Sequence, residues 1–167
     1  METDAEATRD SDIVIAATTT DAAGSSAFPY FKKEDIKPGA LLLLPAAARF
    51  DDDFLGEDNT RLVLDYHGLY DAWAEEYGDE AYQILGIPGC HWNGLVEKGQ
   101  LDASNFDQIG DISAGRTPAR RNEDESILSS VGGMPVEDVA WATEVYDNAH
   151  AKGLGQNLLL WDEPAIK

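Results

Sequence analysis

Three acidic residues stand together at Asp51-Asp52-Asp53, with Glu57 and Asp58 close behind. Such a run can hold a hard cation. Adjacent carboxylates point in different directions, however, and calcium loops place ligands at alternate positions around a central glycine. A solvated loop is the simpler reading. Cys90-His91 is a soft pair with no second pair at ligand spacing, and His67 and His150 are the remaining histidines. A zinc site of three or four ligands, or any other metal site, is therefore not expected. Ser129-Ser130 has no His and Asp nearby in sequence to activate a hydroxyl. Arg116, Arg120 and Arg121 form the one basic cluster. They suit a bidentate clamp on a carboxylate or phosphate, or ion pairs with residues 123–125. Neither a Gly-x-Gly-x-x-Gly turn nor a P-loop occurs, so nothing in the sequence cradles a pyrophosphate.

Position carries more than motif. Thr18 lies just past an apolar run at 12–17, and Pro45, Ala46, Ala47 and Ala48 follow another at 40–44. Doubly wound folds bind ligands at the carboxyl ends of parallel strands. Small residues at such an end let a flat ring approach the backbone.

The elements that must position these residues follow from patterning. Residues 12–17 read as a buried strand, being short, β-branched and followed by a threonine run. Phe28–Asp35 reads as a short helix or turn. Ala40–Leu44 lacks polar alternation and reads as a strand covered on both faces; Arg61–Asp65 is a third of similar character. Residues 49–56 between them form a loop with a helical turn. Leu69, Ala72, Trp73, Tyr77, Ala81, Ile84 and Leu85 recur at helical spacing, and Gly86-Ile87-Pro88-Gly89 stops that helix. Residues 90–125 read as irregular. A further helix opens at Pro135, with Glu137 and Asp138 at its positive end, and its apolar residues predict burial on more than one side. Gly153 ends it, and Leu158–Trp161 reads as a last strand. The class is α/β with a parallel sheet, and the strands outnumber the covering layers.

Composition narrows the partners. The 167 residues are 43% hydrophobic, enough for a core, with 12 Lys+Arg against 32 Asp+Glu and a net charge of −20. That charge repels phosphate backbones and anionic lipid, so no nucleic-acid and no membrane partner is expected. One cysteine, Cys90, excludes a disulfide framework and fits a reducing compartment. The acidic start resembles no signal peptide, and the longest apolar run, 40–48, is about half of what a membrane helix needs. The expectation is a soluble, cytoplasmic protein.

Three stretches resemble the ornithine cyclodeaminase/mu-crystallin family of NAD(P)-dependent enzymes. They are the strand Asp10–Thr19, the pair Glu76–Asp79 with Asp111–Arg120, and, most specific, Asp124–Asp138, which contains Ser130-Val131-Gly132. The resemblance runs from about residue 5 to 161 and ends on Gly153-Leu154-Gly155. Ahead of the matching stretch, family members carry a substrate-binding, dimerising domain and the Gly-rich turn. The resemblance therefore implies the C-terminal part of a Rossmann-type parallel-sheet domain plus a terminal helix and strand. Residues 1–132 would be a partial NAD(P)-binding domain, and 133–167 would pack toward a missing N-terminal domain.

Residue by residue, the resemblance implies that Thr18, Pro45, Ala46, Ala47 and Ser130 meet an NAD or NADP cofactor. Val131 would meet a small amino-acid or imino-acid substrate. The remaining partner would be the missing half or a homodimer mate. The family's cyclodeaminases place a catalytic Asp where an ungapped reading puts Ala48, so reduction of another amino or imino acid is as well supported as ornithine cyclisation. Asp51 is the nearest replacement acid, its proton affinity raised by Asp52 and Asp53. A catalytically silent, ligand-binding mu-crystallin-like protein is the alternative.

Overall fold

The structure, a computed structural model, describes residues 4–18 and 25–158. The chain divides into two compact units, residues 1–132 and 133–167. In the first, the apolar runs form parallel strands: β1 (Ile13–Ile15), β2 (Leu41–Leu44), β3 (Thr60–Leu64), β4 (Phe106–Gln108) and β5 (Ser126–Ser130), in the order β1-β2-β5-β3-β4. Helices α1 (Asp4–Thr8), α2 (Asp52–Leu55), α3 (His67–Tyr77), α4 (Ala81–Leu85), α5 (Pro88–Glu97) and α6 (Ile109–Ser113) connect and cover them.

Register explains the burial. Leu42 pairs with Leu128 and Leu128 with Leu62, so the three share one face, and Leu44 and Leu64 join it through Ser130. All five leucines are fully buried, in one cluster with Tyr70, Tyr82, Trp92 and Leu95 of α3, α4 and α5. The opposite face is covered unevenly. Arg61 and Val63 at its centre are buried, Leu41 and Leu43 are half-buried, and Ile13 and Ile15 at the edge are 61% and 63% exposed. The run at 12–17 is thus a strand but an exposed one. Cover expected on both faces of β2 is complete on one alone.

Three further expectations are corrected. The helix through 69–85 breaks at Gly78, whose φ of 58° suits glycine, into α3, a 3-10 turn and α4. Residues 90–125 are not irregular. Pro88 takes the first turn of α5, where its missing N–H costs nothing, and Cys90, Trp92 and Leu95 bury that helix. β4 and β5 add two strands, β5 at the centre of the sheet. In the second unit, α7 (Pro135–Ala151) starts at its proline as expected, but none of its residues is buried. Of the strand expected at 158–161, Leu158 joins no strand and the rest lies outside the described residues.

The arginine cluster resolves into ion pairs. Arg121 pairs with Glu125, Arg120 donates to the Glu125 carbonyl, and Arg116 pairs with Asp111. Glu125 and Arg61 are both fully buried. Arg61 Nε donates to Asp107 at 2.7 Å and its Nη1 to the carbonyls of Pro118 and Ala119, with Glu125 at 3.8 Å. This network fastens the 114–125 segment over β3 and β4, and one Arg61 nitrogen, Nη2, has no hydrogen-bond partner among the described residues. Glu125→Ala leaves Arg61 with Asp107 alone among its carboxylates and removes the buried acceptor of Arg121, and loss of one partner of a buried pair costs about 3–5 kcal/mol. Urea unfolding is expected to show that loss; a change below about 1 kcal/mol would mean that the network contributes little.

Candidate functional site

The parallel ladder brings four strand ends to one level. Ala16 N donates to Leu43 O at 2.9 Å, Val131 N to Leu44 O at 3.2 Å, and Asp65 N to Ser130 O at 3.3 Å. Beyond them lie Thr18 and Pro45, both exposed, and Ala46 and Val131, both half-buried. The structure thus gathers Thr18, Pro45, Ala46, Ser130 and Val131 at one edge of one sheet. Ala47 is buried instead, in line with Gly86, where an added Cβ would lie 3.1 Å from its methyl.

A buried carboxylate organises this edge. Asp65, directly after β3, is 8% exposed. Its Oδ1 accepts from its neighbour Tyr66 N at 2.9 Å and from Tyr70 OH at 2.9 Å; its Oδ2 accepts from Gly132 N at 2.8 Å. Burial holds the Tyr70 phenol well above its usual range, and the Asp65 charge adds to that, so the phenol keeps its proton and donates. Ser130 Oγ accepts from Gly89 N at 2.9 Å and lies 3.3 Å from the same phenol. Its side chain is fully buried, so the hydroxyl anchors the start of α5 rather than facing solvent. Ser129 and Ser130 belong to β5 itself, and the chain leaves the strand at Val131. At Gly132 an added Cβ would fall 2.6 Å from the Trp73 ring, so a larger residue there would displace that ring.

The acidic loop is only partly solvated. Tyr30 OH donates to Asp51, and His91 Nε2 lies 2.8 Å from Asp52 Oδ1. The bond to Asp51 holds the Tyr30 phenol above its ordinary value. Ala48 is 1% exposed and its carbonyl accepts from Tyr82 OH at 2.7 Å. Burial pushes the Cys90 thiol up to about 12, so it is not a ready metal ligand or nucleophile. Among the described residues, no group of three or more His, Cys, Asp or Glu is placed to hold a metal, and no helix is long and apolar enough to cross a membrane. Motif reading missed Asp65, Tyr70 and Gly89. Only Asp65 leaves a trace in the sequence, as a lone acid ending an apolar run.

The sequence model of the ornithine cyclodeaminase/mu-crystallin family matches residues 1–153. The chain belongs to that family. A search of curated proteins finds no match. Among solved structures the family member resembles an archaeal alanine dehydrogenase dimer with bound NAD, at 23% identity and a TM-score of 0.61. It also resembles CmnK, at 21% and 0.70, and the Δ1-pyrroline-2-carboxylate reductase of Thermococcus litoralis in complex with NADH and L-proline, at 23% and 0.63. The matches cover 94%, 98% and 95% of this chain but 43%, 43% and 44% of those chains. The chain thus spans less than half the length of the solved proteins it resembles, and at these identities the likeness establishes the fold.

If Asp65 locks the edge, Asp65→Ala should lower the unfolding free energy by about 3 kcal/mol, the usual scale for buried bonds to a charged group. It should also speed amide exchange at Gly132. Equal exchange at Gly132 in the two proteins would remove Asp65 from that role.

Proposed function

We propose that this chain supplies the strand-end half of an NAD(P)-dependent oxidoreductase or cyclodeaminase acting on a small amino or imino acid. The observation that supports this best is the row of parallel strand ends bearing Thr18, Pro45, Ala46 and Val131, in a chain of this family. Pro45 and Ala46 offer a low floor for a flat ring, and exposed Thr18 offers a hydroxyl beside it. These residues fit the nicotinamide end of a dinucleotide. They do not fit its pyrophosphate, which requires a Gly-rich turn at a helix start.

In this reading residues 1–132 form a partial dinucleotide-binding domain, completed by a further polypeptide portion or a homodimer mate. Residues 133–167 pack toward that portion. When bound, the cofactor supplies hydride transfer at the α-carbon of the substrate. The chain positions the ring through Thr18, Pro45 and Ala46, and buried Ala47 and Ser130 do so indirectly, by seating the loop against Gly86 and by fixing the start of α5. Val131 lies where the substrate would meet that ring. Asp51, already accepting from Tyr30, is arranged as a hydrogen-bond acceptor, for a substrate amine or for a proton in transit.

A second reading, a silent ligand-binding protein, is favoured by one feature. Ala48, at the ungapped position of the cyclodeaminases' acid, is buried in the core, so a carboxylate there would face apolar side chains.

Two measurements test the proposal. Alone, the chain should bind NADH only at millimolar or weaker levels by nicotinamide fluorescence, because the phosphate site lies outside it; micromolar binding by the chain alone would overturn the half-domain reading. In the assembled enzyme, Asp51→Asn should cut turnover on the order of a hundredfold, the usual contribution of a proton-transfer group. Unchanged turnover would make the 51–53 loop structural.

A further inference from the structure

The loop after β2 returns alongside residues 28–31. Phe31 N donates to Arg49 O at 2.9 Å and Arg49 N to Pro29 O at 2.8 Å, an isolated parallel bridge between Tyr30 and Arg49. The Arg49 backbone is thereby fixed, and its side chain is held twice more. Its Nε donates to Phe28 O at 3.2 Å, and the guanidinium lies over the Tyr30 ring, 5.2 Å from the centroid. Those contacts use the Nε and the flat face of the group. The two Nη nitrogens form no hydrogen bond among the described residues.

That vacancy is unusual in so acidic a chain. Arg9, Arg61, Arg116 and Arg121 each pair with a carboxylate, and Arg120 bonds the Glu125 carbonyl in the ordered 114–125 segment. Arg49, two residues from the acidic run, pairs with none among the described residues, while Asp51 meets Tyr30 and Asp52 meets His91. Arg49 lines a recess of about 190 Å³ with Tyr30, Phe50, Tyr82, Gln83 and His91. Phe50 and Tyr82 are buried and give it apolar walls. At about 30 Å³ per water, the recess has room for roughly six heavy atoms.

We propose that this recess binds the carboxylate of a small organic or amino acid, with Arg49 as its anchor. A guanidinium fork presents two N–H groups in the plane of two carboxylate oxygens, a charge-assisted and directional pairing. The stacking on Tyr30 and the Phe28 carbonyl orient the fork before the ligand arrives, which lowers the ordering cost of binding. The aromatic walls then meet a short carbon chain. The proposal goes beyond the dinucleotide reading and is measured without a cofactor, so either one can fail while the other stands.

The test is an amide NMR titration of the full chain with propionate, L-alanine and L-alaninamide at constant ionic strength. Propionate and L-alanine should give saturable shifts at residues 30–31 and 49–51 with a Kd on the order of millimolar. L-alaninamide, which lacks the carboxylate, should not. Arg49→Gln should weaken binding at least about tenfold, as expected for loss of one bidentate ion pair. Arg49→Lys, which keeps the charge and guards against a folding artefact, should bind more weakly than the parent because an ammonium has no fork. Tighter binding of L-alanine than of propionate would assign the ligand class to amino acids, with Asp51 or Asp52 facing the amine; the reverse order would assign it to simple organic acids. Absence of saturable shifts, an equal response to L-alaninamide, or unchanged affinity in both variants would overturn the proposal.

Discussion

The Asp65 carboxylate is the constraint on which the strand-end edge of the sheet depends. It sits where β3 leaves the sheet and accepts bonds from α3, through Tyr70, and from the turn after β5, through Gly132. A parallel sheet leaves its strand ends as separate loops, because no hairpins join them. Something must set those loops at fixed distances if they are to present one surface. Here a single buried acid does so, and Tyr70 extends the bridge to Ser130, which in turn fixes the first turn of α5 at Gly89. The bonds are charge-assisted and buried, so they are both strong and intolerant of a missing partner. The small residues at 45–48 gain their meaning only from this frame.

A second buried ion network stands toward the opposite end of the same strands. Arg61 and Glu125 occupy the entry to β3 and the residue just before β5. They lie on the face that the sheet covers with a loop rather than a helix. A polar loop over a sheet must satisfy its carbonyls, and Arg61 does this for Pro118 and Ala119. The cost of burying charge is thus tied to ordering residues 114–125, which otherwise hold little apolar material. On that same face the cover ends before β1, where Ile13 and Ile15 remain exposed. All-parallel sheets are normally covered on both faces.

The strands at 13–15, 41–44 and 60–64 were legible because apolar runs with no polar alternation have few other readings at that length. The start of α7 was legible from Pro135 and the acids behind it. What the sequence hid was set by partners distant along the chain. β5 reads Ser-Ile-Leu-Ser-Ser, too polar to announce a central strand; its serines are tolerated because Ser130 bonds Gly89 and the Ser130 carbonyl accepts from Asp65. The Pro88-Gly89 pair looked like a stop signal and is a helix start, since proline suits both roles and only Trp92 and Leu95 packing into the core decides between them. Exposure of α7 was also hidden: an apolar helix declares that it wants cover without saying whether this chain supplies it. For the strand ends the family resemblance named loops that the sheet brings to one level, together with Ser130, whose hydroxyl is buried against Gly89.

Ala48 shows how chemistry and packing trade places in this loop. Its methyl belongs to the core cluster and its carbonyl is held by Tyr82. A carboxylate introduced there without other change would enter an apolar pocket, and a buried unpaired charge is not tolerated without a shift in protonation or in structure. Placing an acid at 48 would therefore require moving the loop, and the loop is pinned on both sides, by Tyr82 at residue 48 and by the Tyr30–Arg49 bridge at the next. Polar groups consequently resume only at Arg49 and Asp51, each already oriented by Tyr30. One tyrosine thus holds a cation on its face and an anion at its hydroxyl, with the two charges two residues apart. Asp51 is the acid of this loop nearest the strand end, so the charges closest to that end are the pair that Tyr30 holds.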